Sequence, residues 1–171
     1  HSEGSLIGMV AAGNADKFIS IAGTGLPADE ILKEQLKNQP QSVLEMSEPI
    51  IESLKKGIIV QNINPMLNSL FRPSVQPYLI SWFKYNPQEE IKKIKIPILI
   101  LQGTKDLQVS TGNAELLHKA NPNSKLVIVE NMNHVLKDVA GDEQENIATY
   151  NNKNLPVNNR LLKEICSFIQ E

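Results

Sequence analysis

Three residues of this chain have types and neighbours suited to nucleophilic catalysis, provided that the fold brings them together. Ser2 lies in His1-Ser2-Glu3-Gly4-Ser5, four fifths of the strand-to-helix turn written G-x-S-x-G. A serine at the apex of such a turn adopts a strained backbone, and small neighbours are expected beside it, here Gly4. The following helix would point its N-terminus, with its partial positive charge, at the place where an oxyanion forms. Asp106 comes just after the apolar run Ile98-Leu99-Ile100-Leu101, and His134 just after Leu126-Val127-Ile128-Val129. Both stand a few residues past the C-terminal end of an expected parallel strand, where open α/β sheets hold their ligands. A serine hydroxyl attacks only when a base takes its proton, and a neutral imidazole oriented by a carboxylate is such a base.

The elements that must position these residues follow from the pattern. Residues 3 to 14 read as a helix with Leu6, Ile7, Val10 and Ala11 on one stripe, Gly4, Ser5 and Gly8 allowing close packing, and Asn14 as its stop. Phe18 to Ala22 reads as a strand ended by Gly23-Thr24-Gly25, which is no phosphate loop because no lysine follows. Residues 26 to 95 carry helical signals and no strand signal. Pro27 opens a helix ending near Asn38-Gln39-Pro40, with Asp29 and Lys33 spaced as an i,i+4 pair. Ser42 and Glu45 form a capping box, Pro49 is expected to kink or restart that helix, and Lys55-Lys56-Gly57 closes it. Short helices are expected at 65–71, 74–84 and after Asn86. Ile98 to Gln102 is a buried strand, 111–120 a helix capped by Ser110 or Thr111, and Lys125 to Glu130 a strand. Residues 137 to 154 read as a polar surface loop. Asn158 or Asn159 caps a last helix with the stripe Leu161, Leu162, Ile165, Cys166 and Ile169.

Composition narrows the function classes. The 171 residues, 41% hydrophobic and 21% charged, suit one globular domain. A formal net charge of −2, without long Lys/Arg runs, gives no footprint for nucleic acid. Cys166 is the single cysteine and reads as a small core residue. No apolar run reaches the ~20 residues of a membrane span, and no cluster has metal-ligand or dinucleotide spacing, so neither metal nor cofactor is expected. His118, beside Lys119 on a helix, reads as a solvated surface residue, and His1 as partly buried in the intact protein. Asp138 is the rival acid, but it follows the histidine instead of ending a strand.

With Ser2, Asp106 and His134 in the order serine, acid, histidine, the chain resembles the C-terminal portion of an α/β-hydrolase, of the esterase and serine-aminopeptidase-like branch whose turn reads G-H-S-E-G. The likeness runs through His1-Ser2-Glu3-Gly4, Gln102 to Val109, and Asn131-Met132-Asn133-His134. Asn131 stands where many members have glycine, and asparagine tolerates left-handed backbone. The resemblance implies an α/β fold of parallel strands with flanking helices, core residues 1–25 and 96–171, and an all-helical cap at 26–95. It implies Ser2 as nucleophile, His134 as base, Asp106 as its orienter and the backbone N–H of Glu3 as half of an oxyanion hole. Of the cap aromatics Phe71, Tyr78, Trp82, Phe83 and Tyr85, the pair Tyr78 and Trp82 share a helix face and are candidates to line an acyl pocket; the alternative is that these rings form the cap's own core. The expected reaction is hydrolysis of carboxylic esters of small to medium acyl chain through an acyl-serine. The alternatives are an aminopeptidase, with Glu45, Glu48 or Glu52 anchoring an amino terminus, and a catalytically incompetent binding module. The family's N-terminal half is missing. The expected partners are therefore that half, or a second copy along the open sheet edge.

Overall fold

A computed structural model describes residues 1–37 and 39–171. In chain order its elements are α1 (Glu3–Ala11), β1 (Phe18–Ile21), α2 (Ala28–Leu36), α3 (Gln41–Lys55), α4 (Asn68–Phe71), α5 (Gln76–Trp82), α6 (Pro87–Lys93), β2 (Ile98–Gly103), α7 (Thr111–Ala120), β3 (Lys125–Val129), α8 (Glu143–Thr149) and α9 (Asn159–Gln170). Single 3-10 turns cover Ala12–Asn14 and Pro65–Leu67. The chain divides into two compact units, residues 1–25 with 87–171, and residues 26–86.

The first unit is built on a parallel sheet of order β1-β2-β3. Register runs from Phe18 opposite Ile98 to Ile21 opposite Leu101, and from Leu99 opposite Lys125 to Gly103 opposite Val129. Every residue of β2 is buried, which is why its sequence is nearly all apolar: both faces of a parallel sheet are covered by helices. Alternation sends Leu99 and Leu101 to one face, where they join Val127, Val129, Met132, and Leu161 and Phe168 of α9. Ile98 and Ile100 go to the other face, where α7 packs on β2 and β3 and in turn meets α6.

Several expectations change in this unit. The buried stripe of α1 is Ser5, Leu6 and Met9, while Ile7 and Val10 are 59% and 49% exposed and Ala11 is exposed too. The helix turns toward β1 through the Ser5–Ser20 hydroxyl contact of 2.6 Å. A side chain at Gly4 would meet nothing within 4 Å, and the close approach falls at Gly8, where an added Cβ would lie 2.9 Å from the Phe18 ring. Residues 137–154 are not merely a loop, because they contain α8, whose N-cap Asp142 accepts from Glu145 N at 3.0 Å. On α9 the buried residues are Leu161 and Phe168, while Leu162, Ile169 and Cys166 are exposed. Leu161 and Ile165 of the expected stripe do face the core, and Phe168 takes the place of the rest. Asn158 caps α9 by accepting from Leu161 N at 2.8 Å, as one of the two expected caps.

The second unit is all-helical among its described residues. Its core is Leu32, Leu36, Ile50, Ile51, Leu54, Leu67, Phe71 and Leu79. Asp29 pairs with Lys55 at 2.7 Å and Lys33 with Glu52 at 2.8 Å, so the acidic and basic residues of α2 reach across to α3 rather than to each other. The Asp29 hydrogen bond raises the Lys55 pKa. No capping box forms at Ser42, because α3 starts at Gln41 after Pro40 and Glu45 accepts from Gln41. Helix α3 also runs on through Pro49, and Ser53 Oγ donates to the Pro49 carbonyl at 2.8 Å. At its end Gly57, φ 75°, donates to Leu54 O and Ile58 to Ser53 O, the paired bonds of a left-handed helix stop. The segment 74–84 is helical only over Gln76–Trp82. Gln76 is fully buried and holds Val60 N and O and Phe71 O, satisfying loop backbone inside the core. The expected end of α2 at Asn38 lies outside the described residues, and α2 stops at Leu36. No helix among the described residues is long and apolar enough to cross a membrane.

Burial on α9 sets a test. Phe168→Ala should cost about 3–5 kcal/mol by emptying a filled core site, whereas Cys166→Ser at an exposed position should stay within about 0.5 kcal/mol. Urea unfolding midpoints of the two variants check this.

Candidate active site

The site lies in the first unit, at the C-terminal ends of β1, β2 and β3. Ser2 immediately precedes α1 and has φ 53° and ψ −129°, a conformation that costs on the order of 1–3 kcal/mol for a residue with a Cβ. Its N–H donates to Ile21 O at the end of β1, 2.9 Å away, which pins the turn to the sheet. Glu3 is the first residue of α1, so its peptide lies at the positive end of the helix.

Asp106 sits in the turn that follows β2. This acid turn and the histidine turn after β3 press together. A Cβ on Gly103 would stand 2.0 Å from Met132 O, so only glycine fits there. Lys105 N donates to Met132 O at 3.0 Å, Thr104 N to Val129 O at 3.1 Å, and Asn131 N to Thr104 Oγ1 at 2.9 Å. The Asp106 carboxylate is 1% exposed and receives four donors. Gln108 N and Val109 N reach Oδ1 at 2.8 and 2.9 Å, while Gln102 Nε2 and His134 Nδ1 reach Oδ2 at 3.0 and 2.9 Å. Burial by itself raises the pKa of this carboxyl. The His134 hydrogen bond and charge, with the Val109 and Gln108 N–H groups, outweigh that and leave it below the ordinary carboxylate value.

His134 is buried in a turn that contains two left-handed residues, Asn131 (φ 59°) and Leu136 (φ 64°). Asparagine at 131 therefore adopts the backbone that glycine usually supplies. Because a carboxylate only accepts, Nδ1 is the donor to Asp106, and neutral imidazole then has its lone pair on Nε2. The His134 carbonyl accepts from Nε2 of His1 at 2.8 Å, and the two imidazole centroids are 4.8 Å apart. The neighbour of Ser2 thus rests on the histidine that Asp106 orients. His1 is exposed in this chain; the partial burial expected of it refers to the intact protein.

The structure brings Ser2, Glu3, Asp106 and His134 into one unit. Asp138 is engaged elsewhere, since its Oδ1 accepts from Asn158 Nδ2 at 2.5 Å. His118 is half-buried, not solvated, and meets Ser124 Oγ at 2.9 Å. Tyr78 and Trp82 lie in the second unit on one face of α5, with ring centroids 5.7 Å apart. Trp82 and Phe83 pack against the core of that unit, which contains the buried Phe71, whereas Tyr78 and Tyr85 are exposed. Gln102 and Asn133 were not singled out in the sequence. The available signal was a polar residue closing an otherwise apolar strand, and an asparagine beside the histidine. Among the described residues no group of three His, Cys, Asp or Glu side chains could hold a metal ion.

No family model matches the chain. It is 26% identical over 178 residues to the esterase EstD of Thermotoga maritima, a match covering 99% of this chain and 41% of that protein. The chain thus spans about two fifths of the length of the curated relative it matches. An α/β fold family hydrolase from Bacillus anthracis str. Sterne superposes with a TM-score of 0.50 at 16% identity, covering 89% of this chain and 63% of that one. The enol-lactonase from Burkholderia xenovorans LB400 gives 0.47 at 14% identity, with 99% and 64% covered. In fold, a parallel sheet flanked by helices with a helical excursion between β1 and β2, the chain is similar to that α/β fold family hydrolase, and in sequence it is similar to an esterase.

The lowered Asp106 pKa predicts an acid limb in stability. The folded state binds its proton less readily than the unfolded chain, whose carboxyl titrates near ~3.9. The contribution is therefore complete above that value and fades as pH falls through the lowered folded value. Asp106→Asn should flatten this limb in urea unfolding measured from about pH 5 downward. Equal slopes for both proteins would contradict it.

Proposed function

We propose that the protein is a serine hydrolase of carboxylic esters of small to medium acyl chain. The observation that carries the reading is the buried His134–Asp106 hydrogen bond of 2.9 Å, together with a strained serine at a helix N-terminus whose neighbour His1 contacts His134. His134 Nε2 takes the Ser2 proton as Oγ bonds to the ester carbonyl carbon. The negative oxygen that results accepts from the Glu3 N–H, and a second donor comes from the N-terminal part of the fold, which this chain does not contain. Each such donor contributes about 2.7–4 kcal/mol. Imidazolium returns the proton to the departing alcohol, leaving the acyl group on Ser2. Water then attacks with His134 again as base, releasing the acid and restoring the serine.

In this reading the helical unit is a cap. The open edge of β1 and the exposed Ile7 and Val10 take the missing half of the sheet or, failing that, a second copy. The similarity to an esterase supports the ester substrate. Two of the glutamates considered as amino-terminus anchors are already engaged, Glu45 by Gln41 and Glu52 by Lys33, which disfavours the aminopeptidase alternative.

Hydrolysis of p-nitrophenyl acetate and butyrate by the full-length protein, and by this chain alone, tests the proposal. Turnover is expected in the full-length protein and little in the chain alone. Ser2→Ala should lower full-length kcat by about 10⁴- to 10⁶-fold. Cleavage of aminoacyl anilides but not esters would replace this reading with the peptidase one, and inertness to both would favour a binding module.

A further inference from the structure

The acid and histidine turns belong to different strands, so the Asp106–His134 distance depends on what ties one turn to the other. Besides the backbone contacts at Met132 and the bond from Asn131 N to Thr104 Oγ1, a side chain from outside the two turns reaches both. Asn146 of α8 is 2% exposed. Its Nδ2 donates to Lys105 O at 2.7 Å, one residue before Asp106. Its Oδ1 accepts from Asn133 Nδ2 at 2.9 Å, one residue before His134. The rest of Asn133 is engaged as well. Nδ2 also donates to Thr149 Oγ1 at 2.6 Å, Oδ1 accepts from Lys137 N at 2.9 Å, and the Thr149 hydroxyl donates back to Asn146 O at 2.7 Å.

We propose that Asn146 is a positioning residue for the Asp106–His134 pair, clamping the acid turn to the histidine turn through Lys105 O and Asn133. This rests on the hydrolase reading for its kinetic consequence, though not for its geometry. A primary amide suits the task because it offers a donor and an acceptor at once, in a plane, to two backbone-fixed partners. Buried polar networks of this kind are rigid when every member is satisfied and loosen together when one is removed. The clamp acts on imidazole orientation, so its loss falls on the chemical step and not on substrate binding.

The test uses full-length protein carrying Asn146→Ala, Asn146→Asp, or Gln144→Ala on the exposed face of α8 as a control. Asn146→Asp retains the acceptor for Asn133 but loses the donor to Lys105. Ester kinetics and the far-downfield proton resonance of His134 Nδ1–H are read side by side, with a thermal melt for each variant. Both Asn146 variants should lower kcat between ~10- and ~10²-fold with KM within about twofold, and broaden or abolish the resonance while the protein remains folded. Gln144→Ala should change neither. Unchanged kcat and resonance in folded Asn146→Ala would overturn the proposal, as would a loss of activity that only tracks the folded fraction. If the wild-type protein hydrolyses no ester, the hydrolase reading fails separately. The resonance then decides the clamp, which is overturned if the signal survives in Asn146→Ala.

Discussion

The hydrogen bond from His134 Nδ1 to Asp106 Oδ2 is the constraint on which the rest of the first unit depends. A carboxylate sealed from water is costly unless its lone pairs are occupied, and here four donors converge on it. Those donors come from the end of β2, from its own turn and from the loop after β3. All three must therefore be in register. The pairing of Gly103 with Val129 provides that register, since a slip of one residue in β2 would turn Gln102 to the opposite face. The apolar content of β2 is thus more than core filling, because it fixes the carboxylate relative to the histidine.

Local backbone and polar side chains complete the arrangement. Ser2, Asn131 and Leu136 all occupy positive φ, and each is held by hydrogen bonds at or beside it: Ser2 N to Ile21 O, Asn131 N to Thr104, Leu136 O to Asn158 N. Strained conformations persist where the surroundings over-determine them. Buried amides do the same work across the chain. Gln102 braces Asp106, Asn133 and Asn146 join two turns, and Gln76 closes the backbone of an irregular loop in the helical unit.

The strands and the turns that carry Asp106 and His134 were legible because the strand and turn signals are local. Apolar runs ended by Gly103-Thr104-Lys105-Asp106 and by Asn131 to His134 announce two strands and the residues after them. Most helix positions were legible for the same reason, while helix faces were not. On α1 and α9 apolar residues occupy more of the circumference than is buried, and which of Leu6, Ile7, Met9 and Val10 faces inward is decided by the sheet beneath. The Asp29–Lys55 and Lys33–Glu52 pairs defeated an i,i+4 reading because a neighbouring helix offered nearer partners. The polar stretch 137–154 concealed α8 because the residues it buries, Asn146 and Thr149, are polar themselves. Hydropathy cannot reveal a helix whose inward face makes hydrogen bonds.

The central claim is that Ser2 is a nucleophile activated by His134. Labelling of the full-length protein with an alkyl fluorophosphonate tests it most directly, since Oγ must attack phosphorus and expel fluoride for an adduct to form. The account predicts a single covalent adduct, mapped by mass spectrometry to Ser2, formed far more slowly in His134→Ala. No adduct on Ser2, or labelling at the same rate without His134, would contradict it.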